Sequence, residues 1–240
     1  MCAKLQGRKL TRRRATTTTG PELGCSRTAR HILLFFRSHA MSNIVSSPAA
    51  VPAPAYSYAE FRALVGAMAV EHRTSGPEQS PGLIRYTAQN SVHLDLAAAL
   101  PLLPALVETI QKLPQPEQWL VLGEAWCGDT AHNLPILAGL VAQSVGRVTL
   151  HVVLRSDHPE LMAAHQTNGK NSIPKLIRRD AATGADLGDW GPRPAAAQIL
   201  AHKLHSDKTL HTNEVVKGMN AWYEADNGQA LQQELLALLS

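Results

Sequence analysis

One short segment, Trp126-Cys127-Gly128-Asp129-Thr130, contains the residues of this sequence best suited to chemistry. An apolar run precedes it and an amphipathic segment follows it, so the pattern predicts a buried strand that leads into a helix. Cys127 then lies at the helix N-terminus, where unpaired backbone N–H groups and the helix dipole favour a thiolate. We therefore expect a reactive thiol with a pKa below the free value of about 8.5. The alternative is an inert, small apolar residue at a strand end.

The cysteine content and the hydropathy of the chain indicate the cellular compartment in which it is expected. Of the three cysteines in the 240-residue chain, Cys2 and Cys25 lie in the first 40 residues, and only Cys127 lies beyond them. One cysteine is not a disulfide framework, which favours a reducing compartment. No apolar run is long enough to span a membrane, so we expect a cytoplasmic protein without a membrane partner.

The charge of the chain is unevenly distributed. Residues 1–40 contain nine of the 23 Lys and Arg residues and one of the 19 acids, so the remainder is mildly acidic although the net charge is +4. No basic stripe interleaved with aromatics is present, which argues against a nucleic-acid partner. The Arg- and Thr-rich composition of residues 1–40 fits an organelle transit peptide. We favour the other interpretation, that translation begins at Met41 and residues 1–40 are not native.

Hydrophobic periodicity and turn residues divide the chain into four parts. Residues 1–55 are predicted to be a disordered tail and linker. Residues 56–116 read as an N-terminal arm of three helices. Residues 117–206 read as strands and helices in the order β-α-β-α-β-β-α, with Pro135 interrupting the first of these helices. Residues 207–240 are predicted to form a C-terminal extension with one helical stretch, 214–239.

The element order from residue 118 and four local features resemble the thioredoxin superfamily. Trp126-Cys127-Gly128 matches its Trp-Cys-Gly opening, and Pro135 lies where thioredoxins have a proline in the active-site helix. Ile173-Pro174 matches the Ile-Pro before the fourth strand, and Gly191 matches the glycine that closes the next strand. The resemblance implies an α/β thioredoxin-like fold, a central mixed sheet flanked by helices, with an N-terminal helical arm and a C-terminal helix. It also implies that Pro174 is cis and lies beside Cys127.

Residues 124–194 further resemble a bacterial thioredoxin-like family with a Trp-Cys-Gly-Asp motif and a Trp-Gly-Pro-Arg-Pro segment. That family begins with a helical arm containing a Tyr-Thr pair, here Tyr86-Thr87. The sequence departs from thioredoxin itself at two places. Thr130 replaces the second, resolving cysteine, and Val121 replaces the buried aspartate used in proton transfer.

The chemistry that remains is that of a monothiol thiol–disulfide oxidoreductase. Cys127 would attack a protein or low-molecular-weight disulfide, and an external thiol would resolve the mixed disulfide. Thr130 is placed to donate to the thiolate, whereas the charge of Asp129 opposes its formation. The alternative function is a non-catalytic binding or adaptor module that holds a partner peptide in the groove beside Pro174. The residues expected to contact a substrate or partner are Trp126, Gly128, Asp129, Ile173, Pro174 and Arg193.

Two further residue types allow more than one interpretation. Arg193 could bind an anion at a helix N-terminus or form a structural ion pair. His202, His205 and His211 lie close together, but no metal-ligand spacing accompanies them, so we expect a surface helix and no metal. No cofactor is predicted, and the oligomeric state stays open.

Overall fold

The computed structural model describes residues 49–240, and the predictions for residues 1–48 lie outside this range. Its centre is a four-stranded mixed sheet in the order β2-β1-β3-β4. The strands are β1 (Glu117–Gly123), β2 (Val148–Leu154), β3 (Lys175–Asp180) and β4 (Asp186–Trp190). β1 runs parallel to β2 and antiparallel to β3, which pairs antiparallel with β4. Every residue of β1 is buried, as expected for a central strand covered on both faces.

Eight helices surround the sheet in the described part of the chain. Three precede it: α1 (Tyr58–Val70), α2 (Pro81–Ala98) and α3 (Pro104–Gln111). α4 (Gly128–Ala142) joins β1 to β2, α5 (Pro159–Ala164) joins β2 to β3, and α6 (Ala195–Ser206) follows β4. The chain ends with α7 (Thr212–Asp226) and α8 (Gln229–Leu239). This mixed sheet with flanking helices confirms the predicted α/β fold class.

Alternate side chains of β1 point into two separate cores. Trp119 and Val121 belong to the larger core, together with apolar residues of α1, α2, α3, α4 and α8. Leu120 and Leu122 belong to a smaller core on the other face, which also contains Cys127. The period-2 geometry of a strand therefore separates the bulk of the hydrophobic core from the face that contains the thiol.

The segment just before α1, which belongs to the predicted disordered tail and linker, instead lies against the sheet. The Ala49 N–H donates to the Ala181 carbonyl, and Tyr56 forms an antiparallel bridge with Val152 of β2. Val51 and Ala55 pack against the smaller core. Residues 49–56 thus cover part of the sheet face on which Cys127 lies.

Two details of the helices differ from the prediction. α4 continues through Pro135 without interruption, and Pro135 is buried together with Leu134, Ile136 and Leu137. The predicted single C-terminal helix is two helices, since Asn227 (φ 51°) and Gly228 (φ 71°) are in the left-handed region that ends a helix. The boundaries proposed between arm, core and C-terminal extension stay predictions. Within residues 49–240, no helix is long and apolar enough to cross a membrane.

Candidate functional site

Cys127 is the N-cap residue of α4 and is placed there by a turn after β1. The Cys127 N–H donates to the Glu124 carbonyl (3.1 Å), and the buried carboxylate of Glu124 accepts hydrogen bonds from Ser75 and from the Ser156 N–H. Ser75 also accepts a hydrogen bond from the Ala125 N–H (2.8 Å). The loop before α2 is therefore part of what fixes the turn.

The Cys127 sulfur faces the loop before β3. Its thiol donates to the Ile173 carbonyl (Sγ–O 3.4 Å), and the Ile173–Pro174 peptide bond is cis, as the resemblance implied. Only 7% of the residue is exposed, because Val51, Trp126, Leu161 and Ile173 belong to the core around it. Cys127 and the Ile-Pro pair are thus brought together as predicted.

The prediction of a lowered pKa for Cys127 is wrong for this structure. Burial and, to a smaller extent, the charge of Asp129 together raise the pKa of the thiol to about 11. Thr130 and Arg193 act in the opposite direction but do not compensate. The position of Cys127 at a helix N-terminus suggested a thiolate. The apolar residues that cover its sulfur come from distant parts of the sequence, so the sequence did not reveal the burial. At neutral pH the Cys127 thiol is protonated.

The Thr130 side chain packs against Gly123 at the end of β1 and does not face an open site. It is almost fully buried, and its hydroxyl makes no hydrogen bond to any residue within 49–240. Gly123 provides the space for it, since a Cβ at Gly123 would lie 2.9 Å from the Thr130 Cγ2. The Thr130 hydroxyl and N–H are nevertheless close enough to the Cys127 sulfur to lower the pKa of that thiol.

Asp129 is held by side chains from two other elements. Arg193 donates to Asp129 Oδ2 through Nε (3.0 Å) and Nη2, and the Tyr223 hydroxyl of α7 donates to Oδ1 (2.7 Å). Asn133 donates to the Tyr223 oxygen (3.1 Å) and to the Asp129 carbonyl (2.7 Å). Burial raises the pKa of Asp129, and the ion pair with Arg193 opposes this increase. Of the two interpretations of Arg193, the structure contains the ion pair.

Three polar residues that the sequence did not single out extend this network: His93 of α2, His132 of α4 and Asn220 of α7. The His132 ring stacks on the Tyr223 ring (centroids 4.4 Å apart), and the His93 ring centroid lies 4.5 Å from that of His132. Asn220 lies between the two imidazoles, with Oδ1 3.3 Å from His132 Nε2 and Nδ2 3.4 Å from His93 Nε2. The signal in the sequence was His132-Asn133, two polar residues within an otherwise apolar stretch of α4.

Because His132 is buried, we expect the protein to lose stability in acid. Burial, with His93 as a further cause, lowers the pKa of His132 to about 4 from an unfolded value of 6.5. Because the unfolded state binds the proton more tightly, this contribution is fully present above about pH 6.5 and is lost as the pH falls toward 4. Between pH 7.5 and pH 4.5, His132 should remove about 2.5 kcal/mol from the free energy of unfolding in urea. The His132→Gln variant should lose that part of the pH dependence, whereas the exposed control His202→Gln should retain it. If wild type and both variants show the same dependence of unfolding free energy on pH, His132 is not its cause.

A wide groove flanks the Ile173-Pro174 pair, since Ser172 and Lys175 on either side of the pair both line it. The cavity has a volume of about 640 Å³. Lys175, directly after Pro174, is buried there and donates to Asp189 (2.6 Å) and Thr167 (3.3 Å). Other residues that line the groove are Ser172, Gly191, Arg193, Gln198 and His202.

Trp126 completes the set of predicted site residues. Trp126 is half-buried, with the Arg155 guanidinium 5.0 Å from its ring centroid, and it packs against the smaller core that contains Cys127. Gly128 opens α4 on the side that faces α2 and α7. In the part of the chain described here, no three His, Cys, Asp or Glu side chains converge on a site that could hold a metal ion.

A mixed sheet, a cysteine at the start of the helix after the first strand, and a cis proline facing its sulfur define a thioredoxin-like protein. The chain belongs to the family described as Thioredoxin, whose model matches residues 76–208, more than half of the chain.

Two solved structures are similar to this chain. One is a protein of unknown function from Pseudomonas aeruginosa, with 20% identity over 77% of this chain and 97% of that one, and a TM-score of 0.48. The other is an HIV epitope-scaffold, with 19% identity over 77% of this chain and 98% of that one, and a TM-score of 0.47. No curated protein matches the chain.

Proposed function

We propose that the protein is a thioredoxin-fold binding module in which the groove beside Pro174 holds an extended partner peptide. The observation that carries this proposal is the state of Cys127, a thiol that is buried and protonated at neutral pH. Asp129 places a negative charge next to it, and no second cysteine lies within the described residues. These features oppose thiolate formation, whereas the groove is open and offers hydrogen-bonding groups along one wall.

The second candidate is the monothiol oxidoreductase of a Trp-Cys-Gly-Asp subgroup, which the contact between the Cys127 sulfur and the residue before Pro174 favours. In that reaction the Cys127 thiolate attacks one sulfur of a disulfide and releases the other as a thiolate. An external thiolate then attacks the substrate sulfur of the mixed disulfide and regenerates the Cys127 thiolate. Arg193, held beside Asp129, would offset part of the negative charge around this step.

The pH dependence of Cys127 alkylation distinguishes the two functions. The full chain is treated with iodoacetamide across the pH range, and the Cys127 peptide is followed by mass spectrometry. For the binding module, the rate should still be rising at pH 9, in line with a pKa of about 11. Asp129→Asn should shift the profile to lower pH by about one pKa unit, because it removes a like charge. Exposed Asp95→Asn serves as the control. A wild-type plateau below pH 7 would support the oxidoreductase and reject the binding module.

Peptide selection then tests the groove directly. Extended peptides selected from a random library against the full chain should bind the Cys127→Ala variant within about twofold, a difference of about 0.4 kcal/mol. The Ser172→Trp variant, which adds bulk at the groove, should lose binding. If the selected peptides bind only when the Cys127 thiol is present, or if the library yields no binding peptide, the binding-module function is contradicted.

A further inference from the structure

α7 is held against α2 and α4 mainly by polar contacts. Of its 15 residues only Val215 and Tyr223 are buried, and none of the 15 belongs to either core of the described structure. The next helix, α8, instead contributes Leu231 and Leu235 to the larger core. Because apolar burial supplies most of the free energy that holds a helix in place, α7 detaches at a lower cost than α8.

The seam between α2 and α7 also contains unfilled space. A cavity of about 150 Å³ lies where α7 covers Gly128 and Asp129 at the start of α4. Further along the seam, residues of both helices line a cavity of about 640 Å³ and another of about 240 Å³. A seam with such cavities has few dispersion contacts to lose when it opens. α7 thus covers the start of α4 without packing tightly on it.

Asn220 connects α7 to two imidazoles on the neighbouring helices. Its side-chain amide lies 3.4 Å from His93 Nε2 and 3.3 Å from His132 Nε2. Whichever way the amide is turned, it presents its oxygen to one ring and its NH₂ group to the other, so one Nε2 atom must accept a hydrogen bond. An imidazolium has no acceptor nitrogen. The Asn220 bridge is therefore complete only while at least one of the two histidines is neutral.

Burial and charge also oppose protonation of these rings while α7 is in place. The two ring centroids are 4.5 Å apart, so two positive charges would repel each other. Burial lowers the pKa of His132 to about 4, with the charge of His93 as the next cause. Burial also lowers the pKa of His93, although the charge of Glu224 of α7 opposes this. When α7 leaves, Tyr223 no longer stacks on His132 and water reaches the rings, so acid favours the detached position.

The charged groups on the other side of Tyr223 act differently. Asp129 accepts a hydrogen bond from the Tyr223 hydroxyl, pairs with Arg193 and faces the exposed His205 of α6. Because burial raises the pKa of Asp129, acid protonates it more readily while α7 is in place, which opposes the effect of the histidines. It gains one proton where the two histidines gain two. Tyr223 and Arg193 keep their protons throughout the acidic range and do not contribute.

We propose that α7 is a lid that acid releases from the start of α4 while the sheet stays folded. Protonation of His93 and His132 breaks the Asn220 bridge, and Tyr223 then leaves Asp129. The side of the Trp126–Asp129 turn that α7 covers at neutral pH becomes open to solvent. This inference concerns α7 and is independent of what the groove beside Pro174 binds.

Hydrogen exchange of the full chain, followed by mass spectrometry and corrected for intrinsic exchange rates, measures the opening of α7. Between pH 7.5 and pH 5.0, the titration of His132 alone should raise the opening constant of α7 about 30-fold. The amides of β1 should stay protected at pH 5.0, because the sheet does not open with the lid. The double variant His93→Gln and His132→Gln should lose the rise.

Asn220→Asp gives a sharper test, because a carboxylate accepts hydrogen bonds from both imidazolium rings. In this variant the opening constant of α7 should not rise between pH 7.5 and pH 5.0. Asn213→Asp is the matched control, since Asn213 also joins α7 to α2 but accepts from Arg85 and Tyr86, so the rise should remain. The same rise in wild type and Asn220→Asp would overturn the proposal. So would β1 amides that exchange together with those of α7, which would indicate global unfolding.

Discussion

The Gly191→Ala variant is expected to lose about 3 kcal/mol or more of unfolding free energy in urea denaturation. Gly191 has φ +119°, a conformation that L side chains rarely adopt. A Cβ there would overlap the Pro174 carbonyl oxygen and lie 3.2 Å from its carbonyl carbon. Both atoms belong to backbone that precedes a central strand, so they cannot retreat as a side chain would. The close approach of β4 to the Ile173-Pro174 loop therefore depends on glycine.

Gly188→Ala, three residues earlier in β4, separates the cost of the positive φ from the cost of the contact with Pro174. Gly188 also has a positive φ, +145°, but its Cβ would meet only the Leu238 Cδ1 at 3.9 Å and the Arg178 Nη1 at 4.0 Å. This control should show the cost of the backbone conformation alone, about 1–2 kcal/mol. If Gly191→Ala is no less stable than Gly188→Ala, the contact with Pro174 is not what requires glycine.

Glu117→Ala is expected to have the second large effect, a loss of about 4 kcal/mol of unfolding free energy in urea denaturation. Glu117 is 1% exposed and accepts hydrogen bonds from Arg178 Nη2 (2.6 Å) and Nε (2.9 Å), and from the Trp119 indole (2.8 Å). Arg178 is 7% exposed and also donates to the Leu238 carbonyl of α8. Removing the carboxylate leaves a buried guanidinium without its counter-ion, which is the costly half of a broken buried ion pair.

Two further variants identify the uncompensated charge as the cause. Glu71→Ala removes the partner of Arg73 in an exposed ion pair and should change stability by less than about 1 kcal/mol. Glu117→Leu combined with Arg178→Met removes both buried charges and should recover most of the loss. A double variant as unstable as Glu117→Ala would mean that lost packing or the Trp119 bond, rather than the charge, dominates.

Local patterns were sufficient to predict most of the elements and the position of Cys127. The apolar run ending at Gly123 predicts β1 and places Cys127 at the start of the next helix, whereas the cis Pro174 beside Cys127 was implied by the resemblance to thioredoxins. The break at Asn227 was missed, since the apolar periodicity continues on both sides of it and only the Asn-Gly pair marked the change.

The electrostatic state of the site could not be predicted, because it depends on residues far away in the sequence. The pKa of Cys127 is raised by a covering layer that includes Val51 and Leu161. Asp129 and Tyr223, whose hydrogen bond is central to the network, are 94 residues apart. Sequence periodicity indicates which face of a helix is apolar, but it does not indicate which distant polar group meets which buried carboxylate.

The contact between Asp129 and Tyr223 also has a consequence for how the chain is made. The ribosome adds about 5–20 residues per second, so Asp129 emerges roughly 5–20 s before its phenol partner. During that interval the chain from the rest of α4 through α6 is synthesised, but the Asp129 carboxylate lacks one of its two side-chain donors. The part of the network that Tyr223 contributes is not formed until α7 has been synthesised and has docked. The candidate site is thus one of the last parts of the molecule to be completed.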